Sequence, residues 1–422
     1  MGCYIIKGGN RLSGEVNISG SKNAVLPILA GATVQKETTI TNIPFLSDVA
    51  NTLEIMNKLG VKIKSEGNTI TTSSNIISTE IDKELNSKMR SSILFLGALL
   101  GKYGECTIYQ PGGCQLGNRP INLHIWAMEQ MGANICYDND KIICKGKLKG
   151  TELTLPIPSV GVTENIILAG INAKGTTIIN NCAKEPEIDD LIKYLNSCGH
   201  NIKKEKNVIT IEESSNEKYN NHKIMGDRIE AGTFMAMAAI TSGELFIKNI
   251  DPNNMWNIIS IFKKIGCIIK TENNSIYIDA PEKLYSIPQI ITKPYSGFPT
   301  DMQPQMTALL SIANGTSRIK ETLFSARNKH IPELNKMGAN ITMLNDSFFE
   351  IKGVNKLIGN EVFAKDLRGG AGLIIAGLGA EGESKVWGSE YVERGYEGIC
   401  SKIELIGGEI ERENREWIIS NK

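Results

Sequence analysis

The chain has 422 residues, long enough for two or three domains, and its 41% hydrophobic and 22% charged content is that of an ordinary folded protein. Lysine plus arginine equals aspartate plus glutamate at 46 each. That balance excludes a broad basic field for nucleic acid or a membrane surface, so any anion site must be built from a few local cations. The four histidines lack metal-ligand spacing, and the nine scattered cysteines contain no CxxC pair, which argues against a zinc site or a disulfide framework.

The opening residues show no charged leader followed by a long apolar run, and the longest apolar stretch, Ile93 to Leu100, is far too short for a membrane helix. The expected protein is therefore a cytoplasmic monomer with free thiols. Cys3 to Lys7 reads as a strand that precedes everything else and is expected to pair with the far domain.

From there one pattern recurs six times. An apolar helix leads into a strand, an amphipathic helix ends on glycine, and two short strands follow. The first copy runs NAVLPILAGATVQKETTI and then LEIMNKLGVKIKSEGNTIT; the fourth runs AGTFMAMAAITSGELFI and then IISIFKKIGCIIKTENNSIYI. The shared glycines are Gly60, Gly132, Gly199, Gly266, Gly338 and Gly407, at intervals of 72, 67, 67, 72 and 69 residues. A helix that stops in the left-handed conformation favours glycine there. Helices apolar nearly all round are buried ones, so the pattern predicts α/β units with a buried helix and an outer helix. Six units divide into two domains of three. The expected division is a discontinuous domain of residues 1–20 and 228–422 and an inserted domain of residues 21–227. The polar stretch Ser214 to Asn221 precedes the second crossing.

The buried helices begin with polar residues: Lys22-Asn23, Arg90, Glu164-Asn165, Asp227-Arg228, Asp301 and Asp366-Leu367-Arg368. Helix N-termini already favour anions, so Lys22, Arg90, Arg228 and Arg368 are candidates for holding phosphates and carboxylates. Each could instead serve as a cap or an ordinary ion pair. Three segments stand apart: Ile18 to Asn23, Pro111 to Pro120, and Gly297 to Gln303. In the second, Cys114 follows two glycines and precedes Arg119 by five residues; a nearby cation lowers a thiol pKa. Asp301 in the third is a candidate base or a helix cap.

These segments, with Pro158-Ser159-Val160-Gly161, His330-Ile331-Pro332-Glu333-Leu334, Asp366-Leu367-Arg368 and Arg394-Gly395-Tyr396-Glu397, resemble the enolpyruvyl transferases of the UDP-N-acetylglucosamine 1-carboxyvinyltransferase type over the whole chain. The resemblance implies an inside-out α/β barrel in each domain. It also implies transfer of the enolpyruvyl group of phosphoenolpyruvate to the 3′-hydroxyl of UDP-N-acetylglucosamine, the first committed step of peptidoglycan precursor synthesis, without metal or organic cofactor. Carried over position by position, Cys114 would be the general acid and Asp301 the general base. Lys22, Arg119 and Arg394 would hold phosphoenolpyruvate. Asn23 and Arg90 would contact substrate near the domain cleft. Arg119 to Leu123 (Pro120, Ile121 and Asn122 between them), with Ser159, Val160 and Gly161, would form the uridine diphosphate side. Leu323 and Arg327 would line the nucleotide-sugar pocket, and Arg368 would also bind substrate. Asn122, Ile157 and Gly369-Gly370 depart from the usual pattern, which leaves room for a paralogue with altered sugar preference or a non-catalytic UDP-sugar-binding copy. The shikimate-pathway enolpyruvyl transferase shares fold and donor but lacks the cysteine acid, so Cys114 speaks against it.

Overall fold

A computed structural model describes residues 2–112, 120–214 and 218–414. The six copies fold as six similar α/β units, each built on one buried helix: α1 (Lys22–Ala32), α2 (Leu94–Tyr103), α3 (Val160–Gly170), α4 (Arg228–Ile240), α5 (Gln303–Leu310) and α6 (Leu367–Gly379). The burial is nearly complete; every residue of α4 is inside. The chain divides into two compact halves. One comprises residues 20–112 and 120–225 with α1 to α3, the other residues 2–19 and 226–414 with α4 to α6.

The third copy shows the pattern in full. Glu152–Thr154 and Thr177–Asn180 are parallel, as a crossover through α3 requires. Thr177–Asn180 pairs antiparallel with Val208–Glu212, which closes a hairpin with Asn201–Glu205. The outer helix Pro186–Ser197 joins the sheet to that hairpin and carries a strongly one-sided apolar face. All six glycines that end the outer helices adopt positive φ, from +89° to +108°. The common punctuation therefore has a common backbone cause.

Other copies borrow strands. The parallel strand of the first sheet is Asn220–Lys223, which begins at the end of the polar stretch before the second crossing. That of the fourth is Ser13–Asn17. The second sheet has three strands, with a single bridge from Glu80 to Thr107 in the fourth place. The sixth copy was expected to carry its own hairpin. Instead Gly2–Lys7 lies between Glu383–Trp387 and Glu409–Asn414, antiparallel to both, which puts the first strand of the chain inside the last sheet. The expected final strand, around Trp417, lies outside the described residues. The sheets are separate and open-edged, so neither half is a closed barrel.

Helices this apolar must pack on one another, and small residues set how closely. A Cβ on Gly97 of α2 would sit 2.2 Å from the Asn165 carbonyl oxygen of α3, and one on Gly101 would sit 2.7 Å from that of Ala169. Among the described residues no helix is long and apolar enough to cross a membrane.

Alanine in place of a mid-helix glycine ordinarily stabilises by about 1 kcal/mol. At Gly97 the sign should reverse, because the backbone of α3 cannot give way, and Gly97→Ala should cost more than about 2 kcal/mol. Gly338→Ala meets no neighbouring atom and should cost only the left-handed strain, about 1 kcal/mol. Chemical denaturation of the two variants checks both the sign and the order.

Candidate active site

In the half that holds α4 to α6, Asp301 lies in the short turn Thr300–Met302 that leads into α5. Its carboxylate caps nothing. Instead Arg327 donates from Nη1 to Oδ1 at 2.7 Å, and Arg368 donates from Nε to Oδ2 at 3.2 Å. Both arginine side chains are almost wholly buried, while Asp301 keeps 25% of its side chain exposed. Burial works to raise the Asp301 pKa, but Arg327 and Arg368, with help from Arg228, outweigh it and hold the carboxyl well below the ordinary range.

Capping falls to other aspartates. Asp227 accepts from the backbone N–H groups of Ile229 and Glu230 at 2.8 and 3.0 Å, and Asp366 accepts from those of Arg368 and Gly369 at 3.1 and 2.9 Å. Each aspartate thus satisfies a helix end, which frees the adjacent Arg228 or Arg368 to face elsewhere. The Arg228 guanidinium lies 5.6 Å from the Tyr295 ring centre, and that of Arg327 lies 4.9 Å from the Phe324 ring centre.

Buried Glu321 organises the next loop. Its carboxylate accepts from Thr292 and Thr300 hydroxyls, both at 2.9 Å, and from the Leu323 and Phe324 N–H groups at 2.8 and 3.2 Å. The result is a cleft of about 400 Å³ lined by residues 320–325 and Ser347, with Leu323 exposed on it. Arg394 lies half-buried in the turn after the short helix Ser389–Val392.

In the other half, Lys22 opens α1 and is buried with its Nζ 2.7 Å from Asp48 Oδ2. Asn23 beside it is half-buried. Arg90 precedes α2 rather than starting it, in the turn Arg90–Ile93, and donates from Nη2 to the Pro120 carbonyl at 3.1 Å. Ile121 is buried, Leu123 half-buried and Asn122 exposed, the last two in the helix Asn122–Gln130. Ser159, Val160 and Gly161 form the half-buried start of α3. The His124 ring stands close to Gly161, where a Cβ would meet it at 3.3 Å.

Asn165, read from the sequence as a helix-start residue, is a core brace in the second turn. It accepts from the Gly97 N–H at 2.6 Å, donates to the Ile93 carbonyl at 3.0 Å, and lies 3.0 Å from His124 Nδ1. Because the amide nitrogen donates, His124 Nδ1 is the acceptor. Glu164 is buried, and burial together with Glu187 and Glu185 pushes its pKa well above the ordinary value. Ile157 is exposed.

Cys114 and Arg119 lie outside the described residues. The structure therefore brings together Asp301, Arg327 and Arg368 in one half, and Arg90 with Pro120 in the other. Sequence reading missed Asp48 and Glu321, which carry no motif and act through side-chain pairing alone. Among the described residues no group of three or more His, Cys, Asp or Glu side chains could hold a metal ion.

Known proteins resemble this chain over nearly its whole length. The family model described as EPSP synthase (3-phosphoshikimate 1-carboxyvinyltransferase) matches residues 6–403. The crystal structure of the enolpyruvyl transferase NikO from Streptomyces tendae superposes with a TM-score of 0.88 at 20% identity, covering 97% of this chain and 98% of that one. EPSP synthase from Acinetobacter baumannii superposes at 0.79 and 21%, covering 98% and 100%. The chain belongs to the EPSP synthase family, the enolpyruvyl transferases. Within it, the chain is 43% identical to UDP-N-acetylglucosamine 1-carboxyvinyltransferase 2 of Caldanaerobacter subterraneus subsp. tengcongensis, covering 98% of this chain and 100% of the relative. It is 44% identical to UDP-N-acetylglucosamine 1-carboxyvinyltransferase of Lawsonia intracellularis, covering 97% and 99%.

His330 supplies a pH test of this region. It is 2% exposed, and neither ring nitrogen has a hydrogen-bond partner among the described residues. Burial lowers its pKa from 6.5 to about 4, with Asp366 opposing and Arg327 assisting. A depressed histidine contributes stability that is complete above its unfolded value and is lost as pH falls through the folded one. Acidifying from pH 6.5 to 4 should cost up to about 3 kcal/mol through this residue. In His330→Gln the slope of melting temperature against pH should flatten over that interval; an unchanged slope would refute the assignment.

Proposed function

We propose that this chain transfers the enolpyruvyl group of phosphoenolpyruvate to the 3′-hydroxyl of UDP-N-acetylglucosamine and releases phosphate. The observation that carries this reading is its 43–44% identity, over nearly the full length, to relatives named for that reaction. The EPSP synthase structure shares only 21% identity, which supports fold and not acceptor. The residue types fit the chemistry. The methylene carbon of phosphoenolpyruvate must gain a proton before the neighbouring carbon accepts the sugar oxygen, so Cys114 would protonate it while Asp301 takes the hydroxyl proton. That addition gives a tetrahedral phosphate-bearing intermediate. Loss of a proton from the new methyl and departure of phosphate then regenerate the double bond. Lys22, Arg119 and Arg394 would neutralise phosphate and carboxylate, with Arg groups suited to a bidentate grip.

Asp301 meets one physical condition for this role and resists another. Its two arginines keep it ionised, but the same charges make it a weak base. It would become basic enough only when a substrate anion draws off part of the Arg327 or Arg368 charge, so substrate binding itself would switch it on. Lys22 carries a parallel condition, since its Asp48 partner must share it with the incoming phosphate. Proteins with this activity would act without a bound cofactor, in the cytoplasm, on a precursor of peptidoglycan.

Phosphate release should require both phosphoenolpyruvate and UDP-N-acetylglucosamine; equal release with shikimate 3-phosphate as acceptor would sink the reading. Asp301→Asn should keep nucleotide-sugar binding and lose about 10²–10⁴-fold in turnover. The phosphonate epoxide fosfomycin should alkylate Cys114, more readily with UDP-N-acetylglucosamine present, as peptide mass spectrometry would show. Cys136 is the control, because it is exposed: modification there instead of at Cys114 would reveal simple accessibility and not a phosphate-binding pocket.

A further inference from the structure

Two contacts tie the turn Thr300–Met302 to the loop that follows the strand Thr316–Lys320. One is the Arg327 bond to Asp301 at 2.7 Å. The other lies one residue earlier, where the Thr300 hydroxyl donates to Glu321 Oε2 at 2.9 Å. The two oxygens of buried Glu321 divide their partners. Oε1 accepts from the Thr292 hydroxyl and from the Leu323 and Phe324 N–H groups, which folds the start of the loop. Oε2 takes the Thr300 hydroxyl.

The backbone connects these contacts into a closed ring. From Glu321 it passes through Thr300 to Asp301, across the ion pair to Arg327, and back along residues 322–326. Thr292 fixes the Glu321 side: its single hydroxyl hydrogen goes to the carboxylate, while its oxygen accepts the Thr322 N–H at 2.9 Å. The two links of the ring differ in kind. Arg327 is a cation for which a substrate anion competes with Asp301. The Thr300 hydroxyl is neutral, so the link to Glu321 offers such an anion no charge. Were the ion pair the only link, an anion that loosened it would also free the loop to carry Arg327 and Leu323 away from Asp301.

We propose that Glu321 is a positioning residue for the reaction: through the Thr300 hydroxyl it keeps Asp301 beside the Arg327 loop while the ion pair between them is loosened. This rests on the reading of Asp301 as the base. The carboxylate then gains basicity without losing its place, and a displacement of about 1 Å at such a group can cost about 10²-fold in rate.

The test compares wild type with Thr300→Val, which keeps the branched shape without the hydroxyl, and Thr300→Ser, which keeps the hydroxyl. In phosphate release Thr300→Val should lower kcat about tenfold with each KM within about threefold, and Thr300→Ser should stay within about threefold of wild type. An unchanged kcat in Thr300→Val, even with a lower melting temperature, would overturn the proposal. So would an equal loss in Thr300→Ser. Should Thr300→Val fail to fold, Thr300→Ala takes its place here and below with the same expected direction.

A second readout needs no substrate and separates this from the functional reading. Amide hydrogen exchange over residues 321–327 is measured in wild type, Thr300→Val, Asp301→Asn and the double variant. Asp301→Asn weakens the other link by removing its charge. Each single variant keeps one link intact and should speed exchange by about threefold or less. The double variant should exceed the product of the two single effects by about tenfold. If wild type releases no phosphate from these substrates, the functional reading fails, and exchange alone decides whether Glu321 holds turn and loop together; a double variant no faster than that product would overturn it.

Discussion

A helix that is apolar on every side has no face to give to water, and one small open sheet cannot cover it. Everything else in this fold follows from that constraint. Each copy supplies one such helix, and three of them cover one another inside a half while the sheets and outer helices cover the rest. Gly97 and Gly101 let α2 approach the backbone of α3, and α5 and α6 meet in the same way where Gly372 faces Pro304. With their flanks consumed by packing, the helices keep only their ends for polar chemistry. Lys22, Arg228, Asp301 and Arg368 all sit at such ends.

That geography explains how a chain of zero net charge concentrates charge where it is needed. Lone buried ions are costly, and the ones here are compensated: Lys22 by Asp48, Arg327 and Arg368 by Asp301. Compensation of this kind is exchangeable. An anion that approaches a buried arginine competes with the resident carboxylate, so the free protein holds its cations ready at low electrostatic cost.

The repeats were legible because each ends an amphipathic helix on glycine, a local event written in adjacent residues. The polar helix starts were legible for the same reason. Whether Asp301 capped a helix or faced outward was not, because that depends on Arg327 and Arg368, which arrive 26 and 67 residues later. The hydrogen bonds that join Tyr396 to Thr233 and Gln305 were equally hidden: the three residues belong to three different copies, and no spacing relates them. Asn165 reads in the sequence as part of a polar helix start, whereas its amide is used up inside the core. The first strand was legible as one that pairs with the far domain, but its particular neighbours were not. Its neighbours stand almost a whole chain length away.

That last pairing bears on how the protein is made. Residues 20–112 and 120–225 form one compact half, and all of them are made before residues 226–414 of the other half. Gly2–Lys7 is made long before its partners Glu383–Trp387 and Glu409–Asn414. At about 5–20 residues per second, that is a delay on the order of 20–80 s, during which an apolar strand has no edge of its own to join. The half whose residues fall between those of the other is thus the first of the two to finish, and Gly2–Lys7 must be sheltered until its two partner strands are made.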